Sequence, residues 1–171
     1  MVDGVLRILR LTRAHGKSAF SCGEPTLDAY LSKFAWQHEQ RGIARVYVLE
    51  HATNGVVGFY TLSARSLSRA HIQGTVTHTL PTFPIPVFYI GSFAVAESEQ
   101  RRGYGRHLLG DALHRCARGA ETIGAHGVYL DSLSARSTQF YTTMGFVAVG
   151  PAITPQPMYL PMSIIRKASS A

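Results

Sequence analysis

The sequence predicts an α/β domain, a mixed β-sheet with helices on both faces. Three observations predict it. Strand-like runs come first and give way to a β-α-β-α alternation in the second half. A long apolar run, Val87 to Val95, leads through a short acidic turn into Gln100-Arg101-Arg102-Gly103-Tyr104-Gly105-Arg106. That loop opens directly into a segment with Leu108, Leu109, Ala112, Leu113 and Cys116 at helical spacing.

The elements follow in order. Val5 to Leu11 reads as a first strand. Pro25 opens a helix, since proline suits the first turn; Leu27, Tyr30, Leu31, Phe34 and His38 share one face, and Gly42 is the stop. Ala44 to Glu50 and Val56 to Ser63 form a hairpin through Thr53-Asn54-Gly55. Arg65 to Pro86 is expected to be irregular around a short helix, because Pro81, Pro84 and Pro86 limit pairing. Val87 to Val95 is apolar enough for a central, buried strand. A helix over Gly105 to Arg118, a short buried strand over Gly127 to Asp131 and a helix over Ala135 to Met144, ended by Gly145, follow. Phe146 to Val149 and Met158 to Met162 are expected to close the sheet. No repeat or low-complexity segment interrupts the chain, and residues 1–171 read as one domain.

Composition narrows the class. Hydrophobic residues make up 46% and charged ones 16%, which describes a globular chain rather than a disordered one. A formal net charge of +7 favours an anionic partner: nucleic acid, a phosphorylated cofactor or an acidic protein. Plain basic solubility is the alternative. The histidines are scattered without ligand spacing, so no metal is expected. Cys22 and Cys116 are the only cysteines, which suits a reducing cytosol. With no apolar leader and no run near the ~18 apolar residues of a membrane span, a cytoplasmic protein without membrane contact is expected.

The loop after Val95 carries the strongest chemistry. Glycines let the backbone approach a ligand, and a helix start offers unpaired N–H groups at the positive end of a dipole. Arg101, Arg102 and Arg106 add charge there, so the loop suits a pyrophosphate. It matches neither G-x-x-x-x-G-K-[ST] nor G-x-G-x-x-G, which disfavours a nucleotide-hydrolysing or dinucleotide site. An ordinary tight turn remains the alternative. Downstream, Phe140-Tyr141 followed by Gly145-Phe146 ends a helix and enters a strand. On pattern alone Tyr141 reads equally as a packed aromatic or a catalyst.

Together these two motifs, at this separation, resemble the GCN5-related N-acetyltransferase (GNAT) superfamily over nearly the whole chain. Phe20-Ser21-Cys22-Gly23, Leu27-Asp28-x-Tyr30-Leu31, Gly42-x-Ala44-Arg45-Val46-Tyr47-Val48 and Gly58-Phe59-Tyr60-Thr61-Leu62-Ser63 resemble, more narrowly, the GNAT toxins of bacterial toxin–antitoxin modules. The resemblance implies a twisted, mostly antiparallel mixed sheet of six or seven strands. It implies acetyl-CoA as cofactor and the free amine of aminoacyl-tRNA as acceptor. A small ribbon-helix-helix antitoxin and a homodimer are implied as partners.

The resemblance also assigns roles. The backbone of Phe93, Ala94 and Val95 would hold the pantetheine arm as an added strand, with the Val95 N–H as oxyanion donor, worth ~3 kcal/mol. The amides of Arg101, Arg102, Gly103, Tyr104, Gly105 and Arg106, with the Gln100 side chain, would cradle the pyrophosphate. Tyr141 would be the general acid for the leaving thiolate, a phenol near pKa 10 facing a thiol near 8.5. Ser134, near a position where the family often carries asparagine, is a candidate cofactor contact, and Ser137 stands at a position usually held by alanine, where packing is expected. No general base emerges: Asp131 and Glu97 are candidates that also read as a cap and a loop residue. An α-amine with a pKa of about 7.7–8.0 is partly neutral at physiological pH and needs no base, unlike lysine at about 10.4. Lys33, Arg41, Arg45, Arg65 and Arg69 are the candidate tRNA contacts, each with a solvated basic face as its alternative. Two other functions stay open, a GNAT acting on a small-molecule or protein amine and a non-catalytic binding module.

Overall fold

The structure is a computed structural model that describes residues 4–72 and 84–170. Its strands are β1 (Leu6–Arg10), β2 (Arg45–His51), β3 (Gly55–Leu67), β4 (Ile85–Val95), β5 (Gly127–Ser132), β6 (Val147–Ala148) and β7 (Gln156–Pro161). They hydrogen-bond in the order β1-β2-β3-β4-β5-β7-β6. β1–β2, β2–β3, β5–β7 and β6–β7 are antiparallel, and β4–β5 is parallel. The helices are α1 (Pro25–Ala29), α2 (Ala35–Gln40), α3 (Tyr104–Thr122), α4 (Ala135–Thr143) and α5 (Met162–Ser169). This is the expected mixed, mostly antiparallel seven-stranded sheet. Two compact units share it, residues 1–63 with 91–112 and residues 64–90 with 113–171.

In the first unit Val46, Val48, Val56, Phe59 and Ala94 of the sheet pack with Leu31 and Ala35. The helix expected from Pro25 to Gly42 is one stretch in sequence, but a π-helical turn, Tyr30–Phe34, separates α1 from α2. That wider turn shifts the inward face by one residue. Leu31, Ala35 and Glu39 point in, whereas Phe34, expected on the apolar face, is 49% exposed. Glu39 is buried for a reason: its carboxylate accepts the Val46 N–H at 2.7 Å and pairs with Arg45 at 3.1 Å and with Arg10. The end of α2 is thereby pinned to the start of β2 and to edge strand β1. Gly58 on β3 marks a close approach, since a Cβ there would lie 2.5 Å from Leu108 Cδ1 and 3.0 Å from the Ala94 carbonyl oxygen.

In the second unit Leu67, Ile72, Ile85, Val87, Tyr129, Val149 and Tyr159 form the core. Tyr89 pairs with Tyr129 in the parallel register, while the neighbouring Phe88 turns to the opposite face, where a Cβ on Gly119 of α3 would touch its ring at 2.9 Å. β3 continues past the expected Ser63 to Leu67, so Arg65 lies on a strand and not in an irregular loop. One 3₁₀ turn follows at Arg69–Ile72; 73–83, with Pro81, lies outside the described residues, and the end of the expected irregular segment is strand instead, since β4 begins at Ile85 and takes in Pro86. α5 is absent from the sequence expectation. It follows β7 without a loop, with Pro161 in extended backbone as its cap, and buries only Met162 and Ile165. No helix among the described residues is long and apolar enough to cross a membrane.

Gly58→Ala is expected to lower stability by about 1–3 kcal/mol through overpacking against Leu108 and the Ala94 carbonyl, read from urea unfolding. Burial alone would raise the Glu39 pKa; the Val46 N–H, Arg10 and Arg45 outweigh burial and lower it. A lowered folded value stabilises the fold above the unfolded value of about 4.3, and the gain is lost as pH falls through the folded value. Glu39→Gln is therefore expected to cost most at pH 7 and progressively less toward pH 3, as measured by unfolding across that range.

Candidate functional site

In the first unit, the turn between β4 and α3 is built from side chains that hold its backbone. Val95 ends β4, and Ala96 N–H donates to the Val57 carbonyl at 2.8 Å. A 3₁₀ turn, Glu97–Glu99, follows, and Glu97 N–H donates to the Ser21 carbonyl at 2.8 Å. Gln100 Nε2 then donates to the carbonyls of both Val95 (3.1 Å) and Cys22 (3.2 Å). Glu99 is buried; one oxygen accepts from Asn54 Nδ2 at 3.1 Å and the other faces Arg102 Nη1 at 3.4 Å.

From this anchor the chain turns left-handed twice, at Arg101 (φ 64°) and Gly103 (φ 83°), before α3 begins at Tyr104. Left-handed residues in such a turn swing neighbouring amides toward one side, and a concavity lined by amides suits an anion. Gly103 needs no side chain to do so, whereas Arg101 adopts this conformation at a cost of roughly 1–2 kcal/mol. A Cβ built on Gly103 meets nothing within 4 Å. The first-turn amides of α3, at Tyr104, Gly105 and Arg106, have no intrahelical acceptors, and the 19-residue helix directs the positive end of its dipole there. Arg101, Arg102 and Arg106 are exposed, and Tyr104 and Gly105 are half-buried. This cradle fits a diphosphate. Gln100 takes a different place from the one expected: both of its bonds go to protein carbonyls, so it straps the loop from beneath. The Val95 carbonyl is likewise engaged. Phe93 and Val95 are half-buried and Ala94 is buried.

In the second unit, Ser134 caps α4. Its hydroxyl accepts the Ser137 N–H at 3.2 Å, and Ser137 Oγ accepts the Ser134 N–H at 3.0 Å, a reciprocal capping box. Ser137 is thus a capping residue and not the packing residue expected. Tyr141 lies two turns along α4, 6% exposed, edge-on to Phe146 at 5.7 Å. Burial pushes its phenol pKa far above the ordinary value. The group keeps its proton throughout the physiological range.

The expected basic contacts separate. Lys33 and Arg41 are exposed, and Arg69 is exposed on the 3₁₀ turn. Arg45 is paired with Glu39. Arg65 stands over the rings of Tyr89 (4.6 Å) and Tyr129 (5.2 Å), with Nη1 3.6 Å from Asp131 Oδ2. Tyr89 donates to Asp131 Oδ2 at 3.1 Å and Tyr129 to Oδ1 at 3.5 Å. Both carboxylate oxygens are therefore occupied, and Asp131 is neither a helix cap nor an open base. Burial, with Asp131 alongside, raises the Tyr89 phenol and pushes that of Tyr129 up to about 12. Glu97 is exposed. Sequence reading missed Tyr89 and Tyr129; the strand period of two, which puts Tyr129 and Asp131 on one face, was the available signal. Among the described residues no three His, Cys, Asp or Glu side chains are placed to hold a metal ion.

Residues 42–148 match the family model of the acetyltransferase (GNAT) domain. The chain belongs to this family: it is an N-acetyltransferase that draws its acetyl group from acetyl-CoA. A tRNA-acetylating toxin of Mycobacterium tuberculosis (strain ATCC 25618 / H37Rv) is 38% identical over 138 residues, 80% of this chain and 81% of the relative. Among solved structures, AtaTR bound with AcCoA superposes with a TM-score of 0.82 at 26% identity, covering 99% of both chains. AtaT complexed with acetyl-methionyl-tRNAfMet gives a TM-score of 0.85 at 25% identity, covering 96% of this chain and 99% of that one.

Gln100→Ala removes two hydrogen bonds worth about 1 kcal/mol each. It is expected to weaken acetyl-CoA binding about tenfold, equivalent to about 1.4 kcal/mol, and to lower the unfolding free energy by about 2 kcal/mol. Calorimetry and denaturant titration check the two effects.

Proposed function

We propose that this enzyme is a toxin that acetylates the α-amine of aminoacyl-tRNA and so blocks translation. The observation that carries this reading is the 38% identity, over 80% of the chain, to a tRNA-acetylating toxin. The net charge of +7 supports a polyanionic acceptor. In this reading residues 1–171 work as one catalytic domain, in the cytoplasm, as a homodimer restrained by a small ribbon-helix-helix antitoxin.

Bound acetyl-CoA supplies an activated thioester; the remaining work belongs to the chain. The amides from Arg101 to Arg106, with the Arg101, Arg102 and Arg106 guanidinium groups, hold the diphosphate. The backbone of Phe93, Ala94 and Val95 holds the pantetheine arm as an added strand. The Val95 N–H steadies the carbonyl oxygen as charge grows on it, a contribution of about 3 kcal/mol. Tyr141 Oη keeps a proton and would give it to the leaving sulfur, and the proton that the amine sheds on becoming an amide would restore the phenol, directly or through water. Burial that raises the phenol also raises a thiolate in dry surroundings, so the two remain matched. Asp131, with both oxygens engaged, takes no part in deprotonation. The α-amine needs no base, because its pKa of about 7.7–8.0 leaves much of it neutral.

Incubation with labelled acetyl-CoA and a pool of charged tRNAs is expected to yield acetylated aminoacyl-tRNA. Transfer to a small or protein amine, with no charged tRNA accepted, would overturn the reading. Tyr141→Phe is expected to reduce kcat by about 10²–10⁴-fold with acetyl-CoA affinity retained; an unchanged kcat would remove Tyr141 from the chemistry. The rate should rise with pH through the α-amine pKa of about 7.7–8.0 and stay level to about pH 9.5, because the raised phenol pKa keeps Tyr141 protonated. A stopped-flow pH profile checks this.

A further inference from the structure

Arg65 is held in a way that fold stability does not explain. Its side chain is 41% exposed and that of Asp131 29% exposed, and an ion pair so open to water adds little to stability. Yet two tyrosine hydroxyls from neighbouring strands converge on the same carboxylate, and both phenol rings lie under the same guanidinium. Tyr89 and Tyr129 are register partners on β4 and β5, so the sheet itself fixes the spacing of the platform. Asp131 lies on β5, three residues before the cap of α4, the helix that carries Tyr141.

A guanidinium has five donors in one plane. Asp131 lies at Nη1 and the Tyr89 hydroxyl also bonds the guanidinium; the rings fix its plane, and the 41% exposed side chain keeps part of the fork open to water with little rotamer entropy to lose. That is the preparation a phosphate contact needs, since phosphate accepts two parallel N–H bonds from such a fork. Arg45, by contrast, is committed to the buried Glu39.

We propose that Arg65 grips a backbone phosphate next to the aminoacyl end of the tRNA, and that Asp131, Tyr89 and Tyr129 are positioning residues for its guanidinium. The assignment rests on aminoacyl-tRNA as the substrate. Phosphate contacts of this kind set the register of a nucleic acid without reading its sequence. Arg65 therefore places the 3′ end whichever amino acid it carries.

The test compares wild type with Arg65→Gln, Arg65→Lys, Asp131→Asn and Tyr89→Phe. Each is assayed on an aminoacyl-tRNA and on the methyl ester of the same amino acid, which has no phosphodiester. Arg65→Gln is expected to raise KM for the tRNA about tenfold with kcat within about twofold, and to flatten the log–log salt dependence by about one. Its loss on the ester should be at least about fivefold smaller than on the tRNA. Asp131→Asn and Tyr89→Phe are expected to raise KM for the tRNA by about threefold with the salt slope of wild type, because the charge stays and only its placement is lost. Arg65→Lys should behave in the same way, and it carries the test if the glutamine variant does not fold. Acetyl-CoA affinity, followed by calorimetry, reports folding for every variant. An unchanged KM and salt slope in the Arg65 variants, or equal losses on tRNA and ester, would overturn the assignment while leaving the tRNA substrate intact. A wild-type enzyme that acetylates no aminoacyl-tRNA would instead overturn the substrate reading, and this assignment with it.

Discussion

The two hydrogen bonds donated by the Gln100 amide are the constraint on which the cofactor side of this enzyme depends. They tie the last carbonyl of β4 to the Cys22 carbonyl ahead of α1, and so fix the point at which the chain may turn. Only from a fixed point can Arg101 be held at φ 64°, a conformation that persists when surrounding contacts over-determine it. Glu99 adds a second tether through Asn54. The proposed diphosphate cradle is thus a matter of backbone, and Gln100 and Glu99 tether that backbone.

The same division between holder and held recurs at two carboxylates. Glu39 and Asp131 each gather arginine and hydrogen-bond donors, but to different ends. Glu39 is 6% exposed and accepts a backbone amide, so its arginines serve the join between α2, β1 and β2. Asp131 receives two phenols and presents an arginine that remains open to water. Arg10 and Arg45 are tied to a buried carboxylate, whereas Arg65 is tied to a half-exposed one above two phenol rings. Tyr141 is the opposite case, a polar group buried beside aromatic rings, where burial holds the phenol in its protonated form.

Much of this was legible in the chain. The order of strands and helices followed from period and punctuation: Pro25 opened a helix, Gly42 and Gly145 closed helices at φ 68° and 97°, and Asn54-Gly55 turned the β2–β3 hairpin. The Gln100-to-Arg106 loop stood out because its glycines and arginines are adjacent in the chain, whereas Tyr141 was singled out only through the family resemblance. What failed to show was set by tertiary context. The π-helical turn exposes Phe34 and buries Glu39, which no 3.6-residue period can express. α5 buries two residues only, too few to mark a helix beside a strand ending in Met162. Arg45 and Arg65 look alike in sequence and differ only in the partners that folding brings to them. Gln100 read as a ligand contact because a polar side chain in a phosphate loop points that way, whereas its acceptors lie 5 and 78 residues away along the chain.

The central claim is that the backbone cradle between β4 and α3 grips a diphosphate. Calorimetric titration of the intact protein with CoA and, separately, with pantetheine, which has the same arm and no phosphates, tests it most directly. CoA is expected to bind at least about 100-fold more tightly, equivalent to about 2.7 kcal/mol. Equal affinities would contradict the claim, because the arm alone would then account for binding.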